Sequence, residues 1–157
     1  MREAQQLYRK IIDSNKDICI KSAAAQQEYI KTKTARYHGY FVHTLYIPKM
    51  FTEDMAAYIE KNALVMYGIL EKVIARYRSD AAYRALFGFD ERLERLILRE
   101  KHYDCLLPMA RIDIFFNEDD YSFKFCEFNT DGSSAMNEDR EMNEAIRLTY
   151  SFGEFEK

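Results

Sequence analysis

The chain has 157 residues, of which 48% are hydrophobic and 31% are charged, and it contains only five glycines and two prolines. This composition excludes a disordered, collagen-like or low-complexity polypeptide and is typical of a globular protein whose length suits one domain. The formal net charge is -3 with acidic and basic residues interleaved, so the sequence has no basic field for a nucleic-acid backbone.

Targeting and cysteine patterns point to the cytoplasm. The N-terminus has no apolar stretch of the kind that a secretory signal needs, and no run approaches the roughly 18 apolar residues of a membrane span. Cys19, Cys105 and Cys126 are widely spaced and lack the paired spacing of a zinc site. We therefore expect a cytoplasmic protein without membrane contact, whose cysteines are reduced and mostly buried.

The first part of the chain is predicted to be helical. Segments 2–14 and 20–34 combine good helix formers with few strong breakers. Residues 37–50 interrupt this pattern as an aromatic connector, in which Pro48 disfavours helical geometry at the residue before it. Thr52 is then a suitable N-cap for a long helix.

Apolar residues follow Thr52 at spacings of three, four and seven, so one stripe of the long helix is expected to face a core rather than a cofactor. This stripe consists of Met55, Ile59, Met66, Ile69, Leu70, Val73 and Tyr77. Two shorter helices are predicted over 80–86 and 90–99, separated by Gly88.

At about Leu106 the period changes from helical to alternating. Residues 110–117 and 121–129 are rich in β-branched and aromatic residues, and the residues between them have turn chemistry, so the sequence predicts an antiparallel hairpin. A loop and a final helix follow, with Ser134 or Asn137 as its N-cap. We expect an α+β fold and a single domain or fragment over 1–157, mostly helical over 1–105 with hairpin, loop and final helix over 106–157.

Strand alternation predicts how the hairpin presents its polar residues. A loop centred on Asp120 pairs positions whose numbers sum to 240. Phe115 then lies opposite Phe125, Asp113 opposite Glu127, and Arg111 opposite Asn129. Lys124, Cys126 and Phe128 fall on the other face, where Cys126 is predicted to be a small core residue.

Two opposed carboxylates repel each other, and a bound cation relieves that repulsion. Carboxylate and amide oxygens suit Mg²⁺ or Mn²⁺, and an adjacent arginine can bind a phosphate or carboxylate oxygen. The sequence also allows a solvated face without function, because a one-residue slip separates Asp113 from Glu127. The small polar residues around Ser133 and Ser134 fit either an anion site at a helix start or a plain turn.

These residues are also found together in a known family. Residues 110–116, followed by residues 125–131, resemble the metal-binding region of glutathionylspermidine synthetase-like, circularly permuted ATP-grasp proteins. The resemblance implies an ATP-dependent carboxylate–amine ligase, with small-molecule carboxylate and amine substrates and an acyl phosphate intermediate.

The resemblance also implies roles for individual residues. Asp113, Glu127 and Asn129 would hold Mg²⁺ or Mn²⁺, with Glu127 shared between two ions. Arg111 would be catalytic and would contact the ATP phosphates or the tetrahedral intermediate. Ser133 and Ser134, also candidate binding residues, would line the acyl-substrate side.

Two departures from the family pattern shape the expected function. The family often has Thr-Pro where this chain has Gly132-Ser133, which leaves the acyl substrate open. The family's chain also continues beyond the motif into the lobe that holds ATP. We therefore expect an N-terminal portion of a ligase that is inactive alone. The alternatives are a noncatalytic helical interaction module, working as a homodimer or with a complementary chain, and, more weakly supported, a stand-alone divalent-metal hydrolase.

Overall fold

The computed structural model describes residues 2–130 and 134–157 and has the predicted α+β fold. Within these ranges there are seven helices and two two-stranded antiparallel sheets. The elements in chain order are α1 (Arg2–Ser14), α2 (Lys16–Lys31), β1 (Arg36–Tyr37), β2 (Tyr40–Phe41), α3 (Glu53–Ser79), α4 (Ala81–Ala85), α5 (Glu91–Leu98), β3 (Arg111–Phe116), β4 (Phe123–Asn129), α6 (Met136–Arg147) and α7 (Tyr150–Phe155).

The chain forms two compact units. Unit 1 consists of Met1–Glu53 and Ser134–Lys157, and unit 2 consists of Asp54–Ser133. The single domain or fragment expected from the sequence stays a prediction.

Unit 1 is built from helices at both ends of the chain, with α1 and α2 packed on α7 and α2 also packed on α6. Tyr8 is fully buried in this core and its hydroxyl accepts a hydrogen bond from Ser151 Oγ at 2.9 Å. The ring of Tyr8 also meets the Phe155 ring edge to face, with centroids 5.4 Å apart. These contacts join the first helix to the last.

A buried carboxylate connects α6 to the residues directly before the small hairpin of β1 and β2. Glu141 is only 3% exposed, and its two oxygens accept hydrogen bonds from Thr34 Oγ1 at 2.8 Å and the Ala35 N–H at 2.6 Å. Burial opposes ionisation of this carboxyl, but the hydrogen bonds outweigh that effect and lower the pKa of Glu141. The hairpin turns at His38 and Gly39, which both have positive φ, as a tight two-residue turn requires. A short hairpin therefore overlaps the start of the predicted connector.

Unit 2 contains the predicted long helix and the two short helices. Helix α3 begins at Glu53, directly after the predicted cap Thr52. Asp80 and Asp90 cap α4 and α5 through side-chain hydrogen bonds to backbone N–H groups, and Gly88 between them has φ +63°. Of the predicted α3 stripe, Met55 and Tyr77 are buried at its two ends.

The prediction that the α3 stripe faces a core is wrong for one of its members. Ile69 is 46% exposed and lies among other exposed apolar residues of the same helix. Helical spacing identifies which residues share a face, but burial depends on which elements cover that face. Ile69 has no such cover within unit 2.

The helix after the hairpin differs from the prediction in its start and its length. The N-cap is Ala135, with φ +84°, instead of Ser134 or Asn137. The Glu138 carboxylate replaces a capping side chain by accepting a hydrogen bond from the Ala135 N–H at 3.0 Å. The helix ends at Arg147, and Thr149 caps a separate helix α7. In the parts of the chain that the structure describes, no helix is both long and apolar enough to cross a membrane.

Candidate metal and phosphate site on the hairpin

Strands β3 and β4 pair in the antiparallel register that the site requires. Arg111 lies opposite Asn129, and Asp113 lies opposite Glu127. Both predicted pairs are confirmed. Directly opposed residues have Cβ atoms about 4.5–5.5 Å apart, so the two carboxylates are close enough to share one cation.

A β-bulge interrupts the ladder immediately after the Asp113–Glu127 pair. Ile114 pairs with Phe125, which leaves Cys126 as the additional residue on β4. The predicted Phe115–Phe125 pair is therefore wrong, since Phe115 lies opposite Lys124. The assignment of Cys126 to the core is also wrong, because its thiol is free and exposed. A strand that contains an additional residue no longer alternates with a period of two.

The bulge sorts the side chains of β4 onto two chemically different faces. Phe123 and Phe125 join Ile112, Ile114 and Phe116 on the face that packs against α3. A small apolar cavity of about 40 Å³ lies at this contact. On the α3 side, the Tyr58 ring lies 5.6 Å from the Tyr121 ring and 6.1 Å from the Phe123 ring, measured between centroids. Aromatic packing thus fixes the hairpin on the helix.

The opposite face carries the predicted site, and each carboxylate has a partner on its own strand. Arg111 Nε donates to Asp113 Oδ1 at 3.0 Å, and Asn129 Nδ2 donates to Glu127 Oε1 at 3.1 Å. Arg111, Asp113 and Asn129 are half-buried, whereas Glu127 is exposed. The structure therefore brings all four residues to one face, where ligands can reach them.

Lys124 is a member of this face that the sequence reasoning missed. Lys124 lies opposite Phe115 in the ladder. Only the Ile114–Phe125 pair, which faces α3, lies between this pair and the Asp113–Glu127 pair. Both Lys124 and Phe115 are exposed. A regular alternation puts Lys124 on the apolar face, so only recognition of the bulge could have found it.

The donor set fits a hard cation that also binds other oxygen ligands. Two carboxylates and an amide oxygen suit Mg²⁺, which takes its remaining ligands from water and substrate phosphates. In residues 2–130 and 134–157 there is no group of three or more His, Cys, Asp or Glu side chains arranged to hold a metal ion. A metal bound by Asp113, Glu127 and Asn129 would therefore also need ligands other than these side chains, such as water or substrate phosphates.

The sequence also predicts Ser133 and Ser134 as binding residues. Ser133 lies outside the described residues. Ser134 belongs to unit 1, where it lines a cleft of about 650 Å³ with the aromatic side chains Tyr37, Tyr40 and Phe41.

Comparison of the chain with protein-family models, with curated proteins and with solved structures finds no match. The case for a function therefore depends on the geometry of the hairpin and on the sequence motif it carries.

Proposed function

We propose that this chain is the N-terminal portion of an ATP-dependent carboxylate–amine ligase and supplies its Mg²⁺-binding and phosphate-binding hairpin. The observation that carries the proposal is the pairing of Asp113 with Glu127 and of Arg111 with Asn129 on one accessible face. Hairpins with a solvated outer face are common. Here Arg111 and Asn129 offset part of the repulsion between the opposed carboxylates, and the negative charge that remains on Arg111, Asp113 and Glu127 together suits a bound cation.

In the proposed reaction a carboxylate oxygen of the acyl substrate attacks the γ-phosphorus of ATP, which yields an acyl phosphate and ADP. An amine then attacks the acyl carbon, a proton leaves the nitrogen, and inorganic phosphate departs as the amide forms. When bound, Mg²⁺ would supply neutralisation of the phosphate charge.

The residues of the hairpin would position and stabilise these charges. Asp113, Glu127 and Asn129 would hold the cation. Arg111, whose guanidinium is oriented by its bond to Asp113, would bind a phosphate oxygen and stabilise negative charge that develops at the reacting centre. Lys124 adds a second cation to the same face.

Metal titration of single variants tests the site. Wild-type protein should bind Mn²⁺, measured by electron paramagnetic resonance of the free ion, and Asp113→Asn and Glu127→Gln should each weaken this binding by about tenfold or more. Asp119→Asn is the matched control, since it removes the same charge from the turn of the same hairpin. Equal Mn²⁺ affinities in wild type and all three variants would refute the proposed metal site.

The proposal includes that this chain is inactive without the rest of the ligase, and nucleotide titration tests this. A clamped nucleotide needs a second wall, so isothermal titration with MgATP should show affinity weaker than about micromolar. Micromolar binding by this chain alone would overturn the claim.

A noncatalytic interaction module is the second candidate, favoured by the apolar surface of α3. Leu64, Val65 and Ile69 are 63%, 58% and 46% exposed on this helix. Exposed apolar groups at neighbouring positions are typical of protein contacts. Sedimentation over a wide concentration range tests self-association, which a monomer with no concentration dependence would contradict.

A further inference from the structure

A cleft of about 530 Å³ lies in unit 2, between the end of α3, helix α5 and the segment after it. The volume is within the usual range for small-molecule sites. The cleft shares no residue with the candidate site on the hairpin, and the inference drawn from it does not depend on the proposed ligase function.

The lining of the cleft is positively charged in a chain that is acidic overall. Arg78, Arg99 and Lys101 line it together with His102, and Glu100 is the one acidic side chain among its lining residues. The apolar part of the lining consists of Ile74, Leu96, Ile97, Tyr103 and Leu106. Permanent positive charge beside an apolar wall is the complement of an amphipathic anion.

Two of the cations are fixed in place by backbone carbonyl groups. The Arg78 guanidinium donates to the carbonyl oxygens of Ile97 at 2.5 Å, Leu98 at 3.3 Å and Arg99 at 3.1 Å, at the C-terminus of α5. Lys101 Nζ donates to the carbonyl oxygen of Cys105 at 2.7 Å. These carbonyl groups orient both side chains, and those at the end of α5 also partly offset the charge of Arg78 through the helix dipole, but none of them carries a full negative charge.

The third cation is positioned to receive a ligand. Arg99 is exposed, and within residues 2–130 and 134–157 its guanidinium makes no hydrogen bond to a protein acceptor. Leu96 and Tyr103 are also exposed apolar side chains of the same cleft. An anion bound here would therefore gain a charged partner and cover apolar surface at the same time.

We propose that this cleft binds a small amphipathic organic anion. Its phosphate or carboxylate head would lie against Arg99 and Lys101, and its apolar body would cover Leu96 and Tyr103. A soluble metabolite and a lipid headgroup share this chemistry, and we commit to the soluble molecule.

Titration with monomeric octyl phosphate, followed by amide chemical shifts of the ¹⁵N-labelled protein, tests the proposal. Shifts should concentrate at residues 96–106, and inorganic phosphate and octyl glucoside should each bind about tenfold more weakly, because one lacks the apolar body and the other the charge. Saturation by inorganic phosphate alone, or equal binding of octyl glucoside, would overturn the amphipathic specificity. Binding to phosphatidylglycerol vesicles without binding of monomeric octyl phosphate would overturn the small-molecule site in favour of a membrane surface.

Variants locate the binding within the cleft. Arg99→Gln and Lys101→Gln should each weaken octyl phosphate binding by about five- to tenfold. Arg95→Gln is the matched control, because Arg95 is an exposed arginine of α5 that does not line the cleft. Arg99→Gln keeps the Arg78 and Lys101 hydrogen bonds, so its fold is expected to be intact. Equal losses in Arg95→Gln and Arg99→Gln would show diffuse attraction by charge and would refute the site.

Discussion

Replacing Gln26 by methionine should stabilise the protein. Gln26 lies on α2 and is 2% exposed, and within the described residues neither its amide nitrogen nor its amide oxygen has a hydrogen-bond partner. A buried polar group without a partner costs about 1–3 kcal/mol. Methionine has a similar volume and helix propensity without the polar atoms. We expect Gln26→Met to raise the free energy of unfolding by about 1–3 kcal/mol. The gain is smaller than the summed cost of the two unpartnered amide atoms, because the methionine side chain must also fit the same space.

The neighbouring glutamine provides a matched control for this substitution. Gln27 Nε2 donates to Thr44 Oγ1 at 2.8 Å and to the Thr44 carbonyl oxygen at 3.2 Å. Gln27→Met should therefore lower the free energy of unfolding by about 1–2 kcal/mol. Urea unfolding followed by circular dichroism measures both variants, provided that the m-value is unchanged. If Gln26→Met is instead destabilising by a similar amount, an ordered water satisfies the Gln26 amide and the reasoning fails.

Three further predictions follow from unit 1 and the bulge. The pKa of Glu141 is lowered in the folded protein, so its ionised form stabilises the fold above the ordinary pKa of about 4.5. This stability is lost as the pH falls through the lowered pKa. The difference in free energy of unfolding between wild type and Glu141→Gln should therefore narrow on acidification, and a constant difference would contradict the prediction. Tyr8→Phe should cost about 1–2 kcal/mol in urea unfolding through loss of the bond to Ser151, whereas an unchanged midpoint would show that the bond adds nothing. Maleimide should label native Cys126 at least about a hundredfold faster than buried Cys19, measured by peptide mass, and equal rates would contradict the exposures.

Most of the longer elements could be predicted because local chemistry determines them, but the β1–β2 hairpin and the break between α6 and α7 are not predicted. Residues 2–14 carry a helical pattern and form α1, and Gly88 separates two short helices as expected. The start of α6 could not be predicted, since the cap depends on the Glu138 carboxylate reaching back to Ala135 instead of on a capping side chain. The exposure of Ile69 depends on which elements cover α3, and no pattern within α3 contains that information.

The pairing of Asp113 with Glu127 and of Arg111 with Asn129 is predicted correctly through two errors that cancel. The prediction centres the loop on Asp120, but Phe116 pairs with Phe123, so the true centre lies half a residue earlier in the chain. The bulge at Cys126 adds one residue to β4 and restores the expected register at Asp113 and Glu127. Strand alternation could not reveal this, because a bulge changes the period without a strong sequence signal.

The same bulge explains how one short strand can serve both packing and a polar site. In a regular strand, Phe125 and Glu127 would share a face. Either Phe125 would then leave the contact with α3, or Glu127 would no longer lie on the same face as Asp113. The additional residue Cys126 turns them to opposite faces and also turns Lys124 toward the carboxylates. Bulges frequently lie next to active sites, where they redirect a side chain. The apolar packing on α3 and the polar face are therefore coupled, and loss of the Phe125 contact is expected to disturb the Asp113–Glu127 pair.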